Sequence, residues 1–245
     1  MAHEEWKNIA DNARIAVVFI HGIAGTPDHF RDFLPLVPKT FSVYNILLDG
    51  HGKGVTDFSK TSMKKWESQV AQVICDLSAT HEELYIVGHS MGSLFAMEQA
   101  MQNPSVKKLF LLATPLRLGL KPRLVVNAAK VFFNRIGPAD LEAIAAKNCY
   151  GIGDDKNIFH YFGWIPRFLE LFSKIRAVRK ILNTLQTPCA VFQSRKDEMV
   201  STKAIGLLKG NPAFSVSILE NSSHFYYESE DMAILTRAFS QWLSQ

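Results

Sequence analysis

What is scarce in this chain narrows its class before any motif is read. Its three cysteines, Cys75, Cys149 and Cys189, cannot all pair and have no metal-ligand spacing. A disulfide framework is therefore not implied, and a reducing, cytoplasmic setting is expected. No apolar run approaches the length that crosses a bilayer, and Met1 to Asp11 carry acids where a signal peptide has its apolar core. Stable membrane insertion is not expected. The net charge is only +4 and the Lys and Arg residues are scattered, so the basic footprint of a nucleic-acid binder is missing. One basic run, Lys174, Arg176, Arg179 and Lys180, reads as the solvated face of a helix. No His, Asp or Glu group has metal spacing, and Gly50-His51-Gly52-Lys53-Gly54 lacks the Gly-Lys-Ser/Thr ending of a phosphate loop. Neither a metal nor a nucleotide cofactor is expected.

Against those absences stands an ordinary globular composition, 47% apolar and 20% charged over 245 residues, enough for one core with a small insert. Ile15 to Ile20 is a short β-branched run, the pattern of a strand buried on both faces. Further strands are predicted at Phe41–Leu48, Leu84–Val87, Val106–Ala113, Cys189–Gln193 and Phe214–Leu219. Between or after them, helices are predicted at Ser62–Ala79, Met91–Met101, near Thr202–Leu208 and at Asp231–Leu243. Such alternation implies an α/β fold: a mostly parallel sheet with helices on both faces. Residues 115–186 break the rhythm with helix-like segments rich in Phe, Leu and Lys and no convincing strand. The expected organisation is a core of residues 1–114 and 187–245 and a helical cap insertion at 115–186, with an elaborated crossover as the other reading.

Gly88-His89-Ser90-Met91-Gly92 is a G-x-S-x-G pentapeptide between a predicted strand and a predicted helix. Chance alone supplies it in roughly one chain of this length in fifteen; its placement is what makes it informative. A nucleophile elbow needs a tight strand-to-helix turn, strained at the serine, with glycines that let strand and helix pack closely. His21-Gly22-Ile23-Ala24-Gly25 ends the first strand and is suited to present a backbone N–H to a developing oxyanion; the candidate donors are Ile23 and Met91. A serine hydroxyl needs a base, and the base needs an orienting acid. His224 follows the Phe214–Leu219 strand, and Asp197 follows the Cys189–Gln193 strand, with Glu198 as its rival. All lie at the carboxyl edge, in the order serine, acid, histidine.

Through Val17-Val18-Phe19-Ile20-His21-Gly22, Asp49-Gly50-His51-Gly52, the Ser90 elbow, Lys196-Asp197 with Val200, and Ser223-His224, nearly the whole chain resembles the α/β-hydrolase family. Within it the resemblance is to capped carboxylesterases and monoacylglycerol-lipase-like members. It implies Ser90 as nucleophile, Asp197 as acid, His224 as base, and Ile23 and Met91 as oxyanion donors. The implied substrate is a small-molecule ester, a short- to medium-chain acyl ester or monoacylglycerol, and the implied cofactor is none. Thioester hydrolysis, perhydrolysis or a lyase reaction on the same triad, or ligand binding without catalysis, are the other readings; the oligomeric state is left open. Two departures stand out: Ser93 replaces a glycine common in the family, and the amino terminus looks too short for two opening strands.

The remaining histidines and the aromatic residues of the insert are read conservatively. His89 is expected to pack or hydrogen-bond locally, and His51 to hold its loop. His3, His29, His81 and His160 are taken as surface or packing residues. Phe132, Phe133, Phe159, Tyr161, Phe162, Trp164, Phe168 and Phe172 either form the insert's own core or face the serine as an apolar acyl pocket.

Overall fold

The computed structural model describes residues 3–153 and 155–244. In chain order its strands are β1 (Trp6–Asn8), β2 (Ile15–Ile20), β3 (Ser42–Ile46), β4 (Lys53–Gly54), β5 (Glu83–His89), β6 (Val106–Leu112), β7 (Ile152–Gly153), β8 (Cys189–Ser194) and β9 (Phe214–Leu219). Its helices are α1 (Val55–Lys60), α2 (Met63–Ser78), α3 (Met91–Gln102), α4 (Pro122–Phe132), α5 (Leu141–Cys149), α6 (Ile165–Ile181) and α7 (Ser229–Ser244). Among the described residues one sheet runs β1-β3-β2-β5-β6-β8-β9. Every pairing in it is parallel except β1 with β3, where Trp6 faces Asn45.

β2 is buried from Ala16 onward because both its faces are covered. Ala16, Val18 and Ile20 meet Trp66, Val70 and Ile74 of α2 and Leu94 and Met97 of α3 on one face. Val17 and Phe19 meet Phe30, Phe33 and, from α7, Phe239 and Trp242 on the other. The two-layer cover expected from the β–α alternation is thus present.

Several local expectations change. The amino terminus supplies one short strand, β1, held at the sheet edge by antiparallel pairing with β3. Thr202–Leu207 forms a 3₁₀ helix, capped by the Ser201 hydroxyl accepting from Lys203 N–H. Residues 115–186 contain a two-residue strand after all: β7 pairs in parallel with β4, Ile152 facing Lys53 and Gly153 facing Gly54. So short a strand carries no periodic signal to read.

The basic run on α6 is not uniformly solvated. Lys174 is buried between Glu67 and Glu98, at 2.5 and 2.6 Å; Arg179 donates to the Leu116 carbonyl at 2.6 Å. Leu171, Ile175 and Val178 of the same helix join the core formed with α2 and α3. Of the insert aromatics, Trp164 is buried and donates to the Val55 carbonyl, whereas Phe132, Phe133, Phe159, Phe162 and Phe172 are exposed. Those five therefore line neither an insert core nor an enclosed acyl pocket.

Candidate active site

Because β2, β5, β8 and β9 run in the same direction, the segments leaving their carboxyl ends meet at one edge of the sheet. The turn from β5 into α3 is as tight as a nucleophile elbow requires. Ser90 stands at φ +51°, ψ −120°, left-handed for a residue with a side chain. Its N–H donates to the Leu112 carbonyl of β6 at 2.9 Å and its carbonyl accepts from Ser93 N–H at 2.9 Å. A Cβ on Gly92 would lie 1.9 Å from the Ile20 carbonyl oxygen, and one on Gly88 would lie 2.7 Å from Ser93 N, so both close approaches demand glycine. Ser93, the departure from the common pattern, uses its hydroxyl to donate to the Ser90 carbonyl at 2.8 Å.

Asp197 and His224 are brought together. His224 Nδ1 lies 2.8 Å from Asp197 Oδ2, and both side chains are buried. The other Asp197 oxygen accepts from Met199 and Val200 N–H, each at 2.8 Å. With Nδ1–H donated to a carboxylate, Nε2 is the ring atom free to take a proton. Burial pulls the His224 pKa down, but the charge and hydrogen bond of Asp197 outweigh it and hold the value above the ordinary 6.5.

Glu198 does not replace Asp197; it touches the same histidine by another route. Its Oε2 accepts from the His224 backbone N–H at 3.2 Å, with Arg123 Nη2 of α4 3.6 Å away. Sequence offered the two acids as rivals, whereas the fold uses both, one on the ring and one on the main chain.

The loop after β2 abuts the nucleophile: a Cβ on Gly22 would sit 2.9 Å from Ser90 Cβ. Among the described residues neither the Ile23 nor the Met91 N–H has a protein acceptor, so both remain available as donors. Two buried histidines shape this loop. His21 Nδ1 lies 2.8 Å from the Gly22 carbonyl and its Nε2 accepts from Leu48 N–H at 3.1 Å. His51 Nε2 accepts from Ala24 N–H at 3.1 Å, while its Nδ1 faces the Leu48 carbonyl at 3.1 Å. Burial pushes the His51 pKa down to about 4 and that of His21 well below 6.5, which keeps both rings neutral and both Nε2 atoms able to accept.

His89 Nε2 lies 3.1 Å from the His224 carbonyl and its ring stacks on His29, centroids 3.7 Å apart. His89 thus hydrogen-bonds locally as expected. His29 and His81 are buried, His81 lying 2.8 Å from the Ser42 hydroxyl, while His3 and His160 lie beside Asp28 and Asp155. Sequence reasoning missed the supporting roles of His21, His29 and Arg123. His21 lay in a quoted motif, but no sequence signal announces the other two, which act through residues far along the chain.

An elbow serine, a buried acid–histidine pair and a free-donor loop on one edge of a parallel sheet are the arrangement of the α/β-hydrolase class. The profile of the alpha/beta hydrolase family matches residues 17–237. The chain belongs to that family. It is 26% identical over 162 residues to a thermostable monoacylglycerol lipase of Bacillus sp. (strain H-257), covering 66% of this chain and 51% of the lipase, so it spans about half of that relative's length. It is 25% identical over 240 residues to a monoglyceride lipase homolog of Monkeypox virus, covering 88% and 84% of the two chains. In structure it is similar to a metagenome-derived lipolytic enzyme, with a TM-score of 0.73, 20% identity and coverage of 99% and 98%.

Proposed function

We propose that the chain hydrolyses carboxylic esters through an acyl-enzyme on Ser90. The observation that carries this reading is the 2.8 Å bond between buried Asp197 and His224 on the sheet edge that also holds Ser90. His224 Nε2 takes the hydroxyl proton as Ser90 Oγ attacks the ester carbonyl, and the Ile23 and Met91 N–H groups receive the oxyanion. Collapse expels the alcohol, which leaves with the proton from His224. A water then attacks the acyl-enzyme, giving its proton to His224, and the acid departs as Ser90 Oγ is reprotonated. Asp197 balances the imidazolium charge in both halves.

The substrate class that fits best is a lipophilic ester, monoacylglycerol among them. The likeness to the Bacillus lipase supports it, and so does the insert. Among the described residues, twelve of the eighteen exposed large apolar side chains lie within residues 115–186, Phe159, Phe162 and Leu169 among them. We read this stretch as a cap whose apolar outer surface suits substrates gathered at a lipid–water interface.

The test is hydrolysis of p-nitrophenyl esters from acetyl to palmitoyl by wild type and Ser90→Ala, with fluorophosphonate labelling of both. Wild type is expected to react and to prefer medium or longer chains, while Ser90→Ala loses turnover by at least about 10⁴-fold and keeps its fold. Turnover retained in Ser90→Ala sinks the serine mechanism. Labelling without ester turnover redirects the search to thioesters.

A further inference from the structure

The loop that offers the Ile23 donor is held in place from the insert. Ala24 stands at φ +55°, a conformation that a residue with a Cβ keeps only when its neighbours hold it there. Both of its main-chain polar groups are tied. Its N–H donates to His51 Nε2 at 3.1 Å, and its carbonyl accepts from Gly151 N–H at 2.9 Å. Gly151 in turn accepts from the N–H of Gly52, the neighbour of His51, at 2.6 Å. Three bonds therefore close a ring through three segments distant in sequence, and the β4–β7 pairing extends it by two residues.

Only glycine fits the insert's place in that ring. A Cβ at Gly151 would lie 2.3 Å from the Gly25 carbonyl oxygen and 2.4 Å from Thr26 Cγ2, inside the very loop that carries Ile23. Two residues on, in the same short strand, a Cβ at Gly153 would meet nothing nearer than the Lys53 carbonyl at 3.6 Å, an ordinary contact.

We infer that Gly151 is a positioning residue of the oxyanion site, so that the insert sets the aim of the Ile23 N–H. The inference rests on the serine-hydrolase reading above. With the Gly151 bond lost, Ala24 relaxes towards negative φ, and the peptide units before it, which include the Ile23 N–H, rotate away from the reacting carbonyl.

The experiment compares Gly151→Ala with Gly153→Ala in the full chain. It measures kcat and KM on the preferred p-nitrophenyl ester, and inhibition by two probes of the same chain length. An alkyl trifluoromethyl ketone forms a tetrahedral adduct that needs the oxyanion donors; a primary alcohol does not. Gly151→Ala is expected to lower kcat by about 10²-fold, the effect of losing one such donor, and to weaken the ketone by a similar factor. Its affinity for the alcohol stays that of wild type, and Gly153→Ala behaves as wild type throughout. Unchanged kcat in Gly151→Ala overturns the inference, as does an equal loss of ketone and alcohol affinity, which marks general damage to the acyl site. Should Gly151→Ala fail to fold, Ile152→Ala loosens the same joint without adding an atom. A few-fold loss shared by kcat and ketone affinity then supports the inference, and full kcat overturns it. A wild type inert to esters and fluorophosphonate removes the hydrolase reading and this role together, whereas an active wild type beside an equally active Gly151→Ala removes this role alone.

Discussion

His224 is gripped at three points: its ring by Asp197, its N–H by Glu198 and its carbonyl by His89. Such a grip leaves the imidazole little freedom, so the two acids do separable work. Asp197→Asn removes the charge that lifts the His224 pKa against burial. By analogy with other triads kcat should fall by about 10⁴-fold. The pH profile adds a signature. His224 must be neutral to act as base, so wild-type kcat/KM should decline on acidification with an inflection above 6.5, the side to which the pKa is raised. In Asp197→Asn, where burial remains and the counter-charge does not, residual activity should persist to lower pH. An inflection that stays in place in the variant would argue against Asp197 as the partner.

At the scale of elements, α6 is fastened to α2 and α3 by one buried cation. Lys174 lies between Glu67 and Glu98 with its side chain 8% exposed. Burial raises the Glu98 pKa, and Lys174 opposes that rise without cancelling it. Removing the ammonium leaves two carboxylates facing each other without a counter-ion. Lys174→Ala is expected to destabilise the fold by about 3 kcal/mol, read from the urea midpoint at neutral pH. Lys174→Met, which keeps an apolar stem of similar length, should lose less. Equal and negligible losses in both variants would show that α6 is held by Leu171, Ile175 and Val178 alone.

Across the whole molecule, buried neutral histidines make the fold sensitive to acid. His29 is pushed down to about 3 and His51 to about 4, both first by burial, and His21 and His89 lie well below 6.5 for the same first cause. A histidine with a depressed folded pKa contributes stability that is complete above its unfolded value of about 6.5 and is lost as pH falls towards the folded value. His224, shifted upward, acts in the opposite sense: its contribution is complete below the unfolded value and fades as pH rises through the folded one. Four against one, the balance predicts unfolding that takes up protons between about pH 6.5 and 5, so that stability falls as pH falls through that window. Urea titrations at several pH values in that window measure it; a flat profile would mean that these rings can be protonated inside the fold.

Much of this architecture was legible along the chain, because alternation of short apolar runs with amphipathic segments reports burial on two faces, and each strand from Ile15 to Leu219 in the main sheet left that trace. Ser90, Asp197 and His224 were legible as candidates for a related reason: each follows a strand of the same direction, and a parallel sheet gathers such positions on one edge. What sequence could not supply were contacts with no local period. Nothing near Lys174 reveals Glu67 or Glu98, nothing near Arg123 reveals Glu198, and β7 is too short to write a pattern. Sequence favoured Asp197 over Glu198 as the acid but offered no role for the second, and the fold points Asp197 at the ring and Glu198 at the main chain of the same histidine. The chemistry of the edge follows from residue types at strand ends. Its aim, through Gly151, His51 and Ala24, depends on three segments distant in sequence, and only tertiary packing brings those together.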